Sequence, residues 1–307
     1  MKVKVGTRGS KLALAQTDWV INELKKVAPE VEFEKVIIKT TGDKILDSPL
    51  SKIGGKGLFV KEIEEALLKE EIDLAVHSMK DVPAKLPEGL EIACVPKRES
   101  PFDVWISKSG EDLFSLPSGA KVGTSSLRRS VQIKKLRRDL EILPLRGNVD
   151  TRLRKLREGM YDAIILAEAG IKRLGLSLDY TVFSVEEMIP SVGQGALGIE
   201  IREKDARIKE LISKIHCDKT YTCVKAERAF LHRLEGGCQV PLGAHAVLTN
   251  CKLRIVGFVS DLEAERFFKA EVEAEPEKAE EAGIRLAEIL LSQGAKEVLE
   301  EILGQGV

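Results

Sequence analysis

The sequence predicts an α/β chain in two similar halves followed by a smaller α+β domain. Three observations carry this. Strand-like and helix-like segments alternate through the first two thirds. The stretch Val5-Gly6-Thr7-Arg8-Gly9-Ser10, ahead of one helical pattern, is echoed by Val122-Gly123-Thr124-Ser125-Ser126 ahead of another, and the alternation ends after Ile215. In chain order, residues 3–6 read as a strand, 11–27 have the apolar spacing of a helix, 33–38 form a second strand, 58–68 a helix and 74–76 a buried strand. Residues 40–57 are long for a connection within a compact domain, and Lys52 and Lys56 among the glycines favour an anion-facing lid over an uninvolved insertion. The last third reads as a helix over 220–234, strands over 244–248, 253–259 and 266–272, and two acidic helices.

With 307 residues, 43% of them hydrophobic, the chain has ample material for cores in two or three domains. Its net charge of -1 gives no global polycation and argues against nucleic acid as the main partner. The charge is unevenly spread: residues 121–157 hold twelve bases against three acids, and residues 261–307 thirteen acids against five bases. Five cysteines, an odd number, with no signal peptide ahead of the first strand, predict a reducing compartment, hence a cytoplasmic protein. No apolar run approaches the roughly 20 residues of a membrane span.

Three strand-to-helix turns combine hydroxyls with arginine: 7–10, 123–129 and 146–152. Free backbone N–H groups at a helix start, hydroxyl donors and a guanidinium fork suit a carboxylate or phosphate, although any one such turn also serves as an ordinary helix cap. The segment His77-Ser78-Met79-Lys80-Asp81 ends a buried strand, where open α/β sheets gather active-site groups. Gly193-Gln194-Gly195-Ala196-Leu197-Gly198 matches a dinucleotide fingerprint in letters only, since it leads into a strand and not a helix; a hinge or close-packed crossover fits better. Cys238, within Gly236-Gly237-Cys238-Gln239-Val240-Pro241, sits on a loop that leaves a thiol accessible as a nucleophile or attachment point. His216, Cys217, Cys223, His232, Cys238 and His245 lack the spacing of a zinc site, and no metal is expected.

Taken in order, the motifs 7–16, 52–59, 77–81, 123–129, 145–153, 169–175, 193–195 and 227–243 resemble those of the porphobilinogen deaminase (hydroxymethylbilane synthase) family. The departures are small: Ser100 and Ser191 stand where the family favours an acid and an alanine. The resemblance implies two domains like type II periplasmic binding proteins, residues 1–97 with 193–215 and residues 98–192, and a third α+β domain over 216–307. It implies a transferase that joins four porphobilinogen molecules head to tail into a linear tetrapyrrole. It also implies a dipyrromethane cofactor held by a thioether on Cys238, a small-molecule substrate as partner, no membrane or nucleic-acid partner, and a monomer.

By the same resemblance Asp81 is the catalytic carboxylate, with Lys80 beside it. Ser10, Lys80, Asp81, Thr124, Ser125, Ser126, Arg128, Arg129, Arg146 and Gly147 are expected around the cofactor. Arg8, Gln16, Lys52, Lys56, Phe59, His77, Ser78, Arg152, Arg173 and Gln194 are expected around the substrate. Each pyrrole brings two carboxylates, which explains why the basic segment is read as a polycarboxylate site. The competing readings are a non-catalytic module closing on a small carboxylate and a nucleic-acid binder using 127–138, the latter lacking interleaved aromatics.

Overall fold

A computed structural model describes residues 1–41, 60–234 and 240–304. The first sheet starts with β1 (Lys2–Thr7), followed by helix α1 (Lys11–Val27), β2 (Glu32–Ile37), α2 (Lys61–Leu68), β3 (Leu74–Ser78) and β4 (Leu90–Cys94). The chain then crosses to a second sheet: β5 (Asp103–Ser107), β6 (Lys121–Gly123), α3 (Leu127–Leu136), β7 (Glu141–Leu143), α4 (Val149–Arg157), β8 (Ala163–Ala167), α5 (Glu168–Arg173) and β9 (Thr181–Val182). It crosses back as β10 (Leu197–Arg202), which lies between β3 and β4, and continues into α6 (Ala206–Ser213).

The two five-stranded sheets have the same plan. Their orders are β2-β1-β3-β10-β4 and β7-β6-β8-β5-β9. In each, three parallel strands are followed by one strand that runs antiparallel to both its neighbours and is the first strand laid down after a crossing. This is the expected pair of periplasmic-binding-protein-like α/β units. The sequence echo falls at matching places, with Gly6 opposite Ala75 and Gly123 opposite Ile164. A Cβ at Gly6 would meet the terminal methyl of Ile72 at 2.3 Å, and one at Gly123 would meet the Tyr161 ring at 2.9 Å, so both glycines pack closely against the residue that leads into the neighbouring strand.

The C-terminal unit is α7 (Asp218–Arg233), the meander β11 (Leu242–Thr249), β12 (Lys252–Ser260) and β13 (Phe267–Ala274), then α8 (Ala279–Leu290) and α9 (Lys296–Gly304). It is the α+β unit that the late change of pattern predicts. Its core packs Phe230 of α7 against Leu242, Ile255 and Leu286. A Cβ at Gly283 would stand 2.1 Å from the Ala226 carbonyl oxygen, so α8 crosses α7 at backbone contact.

The glycines read as a crossover behave as one. Gly193 and Gly195 have φ of +72° and +83°, and a Cβ on Gly195 would lie 2.5 Å from the carbonyl oxygens of Glu99 and Ser100 on the other crossing segment. Glu99 N–H donates to the Gly195 carbonyl at 3.1 Å. The two crossings therefore run side by side.

Candidate active site

Between the two lobes lies a cleft of about 210 Å³. The first lobe contributes Arg8, Ser10 and Gln16 from the β1–α1 turn and α1, and Ser78, Lys80 and Asp81 from the end of β3. The second contributes Arg129, Gly147, Arg152 and Arg173, and the returning crossover adds Gln194 and Gly195. The chain thus brings together residues up to 187 positions apart, Arg8 and Gly195 being the extremes.

Local structure explains each placement. Ser10 caps α1, its hydroxyl accepting from Ala13 N–H at 3.2 Å. Beyond β3 the chain makes one 3-10 turn, Met79–Asp81, anchored by Met79 N–H donating to the Ala196 carbonyl of the crossover at 3.0 Å. That turn exposes the Asp81 carboxylate to the cleft while Lys80 is half-buried. Burial pushes the Lys80 ammonium down to about 8; Asp81 opposes the shift and Arg129 adds to it. Gly147 takes φ +111° with Thr151 packed where a side chain would stand, and Arg152 Nε donates to its carbonyl at 2.8 Å.

The lining of the cleft carries more cations than carboxylates, with Arg8, Lys11, Lys80, Arg129, Arg152 and Arg173 against Asp81 and Asp150. Burial, reinforced by Arg129 and Arg146, brings the Arg152 guanidinium down to about 10. Among the described residues no carboxylate is a cause of its shift, and its Nε is held by the Gly147 carbonyl. Arg173 is likewise lowered to about 10 by burial, against Glu99, and donates to the Gly195 carbonyl at 2.8 Å. Groups of one sign crowded in a partly desolvated space favour an anionic occupant. The fit to a multiply carboxylated pyrrole chain is therefore good.

Not every expected residue reaches this space. Arg128 is buried and makes a two-pronged ion pair to Asp103 (2.7 and 3.0 Å) with a further bond to the Ile189 carbonyl at 2.9 Å, and it is not among the cleft-lining residues. Arg129 shares Asp103 through Nε at 2.8 Å while still lining the cleft. Burial alone would raise the Asp103 carboxyl, but the two guanidiniums outweigh it and hold it at about 2. The hydroxyls of the same turn each hold a local bond: Thr124 accepts from Ser126 N–H at 3.1 Å, Ser125 bonds Leu145 at 3.0 Å, and Ser126 caps α3 by accepting from Arg129 N–H at 3.3 Å. Ser125 gives its proton to the Leu145 carbonyl, whereas the Thr124 and Ser126 hydroxyls only accept in these bonds and keep their own protons to donate, beside the backbone N–H groups of the first turn of α3. Arg146 also lies off the lining, although its charge is felt by Arg152. His77 turns to the opposite side of the sheet and pairs with Glu200. Lys52, Lys56, Phe59 and Cys238 lie outside the described residues; the chain on either side of Cys238 is fixed by buried Leu234 and Val240. Asp103 has no warning in sequence beyond being an acid in an otherwise apolar strand.

Comparison with known proteins agrees with this geometry. Residues 3–210 match the family model "Porphobilinogen deaminase, dipyromethane cofactor binding domain", and residues 221–292 match "Porphobilinogen deaminase, C-terminal domain". The chain belongs to the porphobilinogen deaminase family. Curated porphobilinogen deaminases of Syntrophobacter fumaroxidans (51% identical), Carboxydothermus hydrogenoformans (52%) and Brevibacillus brevis (53%) each align with 98% of this chain and with 97%, 97% and 98% of their own. Among solved structures the likeness is looser: a probable amino-acid ABC transporter extracellular-binding protein of Bacillus subtilis is 15% identical over 70% of this chain and 90% of that one, with a TM-score of 0.39. As a porphobilinogen deaminase the chain is a transferase of tetrapyrrole synthesis that works with a dipyrromethane cofactor on a small-molecule substrate. No described helix is long and apolar enough to cross a membrane. Among the described residues no cluster of three or more His, Cys, Asp or Glu is arranged to hold a metal.

Proposed function

We propose that the cleft between the lobes is where porphobilinogen loses ammonia and is joined to the growing chain, with Cys238 as the attachment point and Asp81 as the carboxylate that does the chemistry. The observation that supports this reading is the meeting of an exposed carboxylate, Asp81, with Arg152 and Arg173, two cleft guanidiniums that burial brings down to about 10. When bound, the dipyrromethane supplies the free pyrrole carbon to which the first unit is joined. Arg8, Arg129, Arg152 and Arg173, with Ser10 and Lys80, hold the acetate and propionate arms, whose charge accumulates as units are added. Asp81 accepts hydrogen bonds from pyrrole N–H groups and stabilises the cation that forms on the substrate as ammonia leaves; Lys80 keeps the neighbouring field positive and shares its proton with the departing amine or a carboxylate arm. Gln16, Ser78 and Gln194 orient the ring. The turn 124–129 and Gly147 form the cofactor side of the wall, with Arg128 behind it on Asp103 and Arg146 adding its charge from outside the lining; His77 stands behind the catalytic turn, and Lys52, Lys56 and Phe59 complete the substrate side.

The same reading divides the chain into 1–97 with 193–215, 98–192, and 216–307, in support of which the two crossings lie beside each other at Glu99 and Gly195. It takes the protein as a cytoplasmic monomer without a nucleic-acid partner; the reducing compartment is supported by Cys94, Cys217, Cys223 and Cys251, which are unpaired.

The test is intact-protein mass. The purified protein carries the added mass of a thioether-linked dipyrromethane, Cys238→Ala does not, and Asp81→Asn keeps the adduct but loses turnover by about 100-fold or more. An active preparation with an unmodified Cys238, or a fully active Asp81→Asn, would overturn the assignment.

A further inference from the structure

The face of the first sheet covered by α2 carries a buried cluster that the cleft chemistry leaves unused. His77 on β3 lies opposite Gly198, and Glu200 on β10 lies opposite Ala75, which makes the two side chains diagonal neighbours on one face. His77 Nε2 is 2.7 Å from Glu200 Oε2, with both side chains almost fully buried. Glu64 of α2 is buried on the same side. Glu64 and Glu200 each keep one carboxyl oxygen, Oε1, shielded from solvent and without a hydrogen-bond donor.

Two ionised carboxylates offer acceptors only, so neither can satisfy the other; one proton converts one of them into a donor. Burial, with the Glu200 charge added to it, raises the Glu64 carboxyl above its ordinary value, and His77 pulls the other way. The remaining charged groups on the packed elements are committed or exposed. Arg202 of β10 donates to the carbonyls of Leu67 and Ile72 (2.8 and 2.7 Å) and to Asp205, and Glu91 of β4 pairs with Lys209. Lys4 of β1 is exposed, and Glu62 on α2 itself accepts from Thr41.

We propose that Glu64 is held as the neutral carboxylic acid, donates its proton to Glu200 in a hydrogen bond, and through Glu200 and His77 fixes the strand end that presents Ser78, Lys80 and Asp81. His77 immediately precedes Ser78, whose partner in the ladder is Leu197, and the next rung is the Met79–Ala196 bond that anchors the catalytic turn. A sideways slip of β3 against β10 therefore carries Asp81 with it. Glu64 and Glu200 are positioning residues; neither touches the cleft. The inference rests on the role given to Asp81 above.

The experiment compares the pH profile of tetrapyrrole formation by cofactor-loaded wild type, Glu64→Gln and Glu64→Ala, together with their infrared spectra. Glutamine copies the protonated acid: Glu64→Gln keeps kcat within about twofold near neutral pH and holds it further into the alkaline range than wild type, while Glu64→Ala lowers kcat about tenfold with KM within about twofold. The wild type shows the C=O stretching band of a protonated carboxyl group, and Glu64→Gln lacks it. The proposal is overturned if that band is missing from the wild type, if the two profiles coincide, or if Glu64→Gln loses as much kcat as Glu64→Ala. Should Glu64→Ala not fold, the wild type, Glu64→Gln and the band still decide. An inactive Asp81→Asn beside coincident profiles sinks only this inference, whereas an active Asp81→Asn sinks the reading beneath it.

Discussion

Lys80 and Asp81 are adjacent in sequence but meet opposite surroundings. Asp81 is open to the cleft, and Lys80 is half-buried, so that burial, with Arg129 adding to it, pushes its proton off. In Cys238→Ala, which has no thiol to hold the cofactor, Lys80 is expected to react with an amine-directed reagent with a midpoint near pH 8. Cofactor carboxylates raise that midpoint in loaded wild type. Peptide-level mass spectrometry across a pH series reads both. Asp103 makes the converse point. Its carboxylate neutralises Arg128 and Arg129 where the sheet is driest, and Asp103→Asn leaves two buried cations short of their anion. The expected loss is about 3 to 5 kcal/mol of unfolding free energy, measured by denaturant titration, with cofactor loading impaired because Arg129 is no longer held.

At the scale of elements, the turn between β7 and α4 depends on Gly147. Its left-handed φ of +111° and the Thr151 side chain 2.7 Å from a would-be Cβ mean that Gly147→Ala strains the backbone and displaces the start of the helix bearing Arg152. A stability loss of about 1 to 3 kcal/mol is expected, with a larger proportional fall in kcat/KM than in kcat, read from thermal melts and steady-state rates. Most elements were legible from residue pattern alone, because strands such as 74–76 are unbroken apolar runs and helices such as 11–27 carry a clear apolar stripe. The three anion turns were legible as turns. What the hydroxyls of Thr124, Ser125 and Ser126 do was not, since capping and ligand binding call for the same residue types. Arg128 was placed by its neighbours in sequence, whereas its direction is set by Asp103, 25 positions away, and pairing at that range leaves no periodicity to read. Glu64 and Glu200 gave no signal for the same reason.

For the whole molecule, one carboxylate ties the C-terminal unit to the crossings. Glu227 of α7 takes both prongs of Arg98 (2.7 and 3.1 Å), the N–H of Gly193 at 2.7 Å and the N–H of Ala246 at 2.9 Å. Burial alone would raise its pKa, but Arg98 and His245 bring it to about 2 from an ordinary 4.5. The folded state therefore binds its proton later than the unfolded one. The stability contributed is complete above 4.5 and fades as the pH falls towards 2. Glu227→Gln should flatten the pH dependence of unfolding free energy over that window and cost about 3 to 5 kcal/mol at neutral pH.

The arrangement of the first sheet also bears on how the protein is made. β4 reaches β3 only through β10, and β10 lies more than 100 residues after β4. As the chain leaves the ribosome, the N-terminal lobe emerges first yet lacks β10, whereas the second lobe, continuous from β5 through β9 to the core residues Phe183 and Met188 and the Arg128 partner Ile189, has all its parts once residue 189 is free. Folding in the usual N-to-C order is thereby inverted: the later-synthesised lobe closes first, and the earlier one waits with its β3 edge open to other partners until residue 202 has been translated.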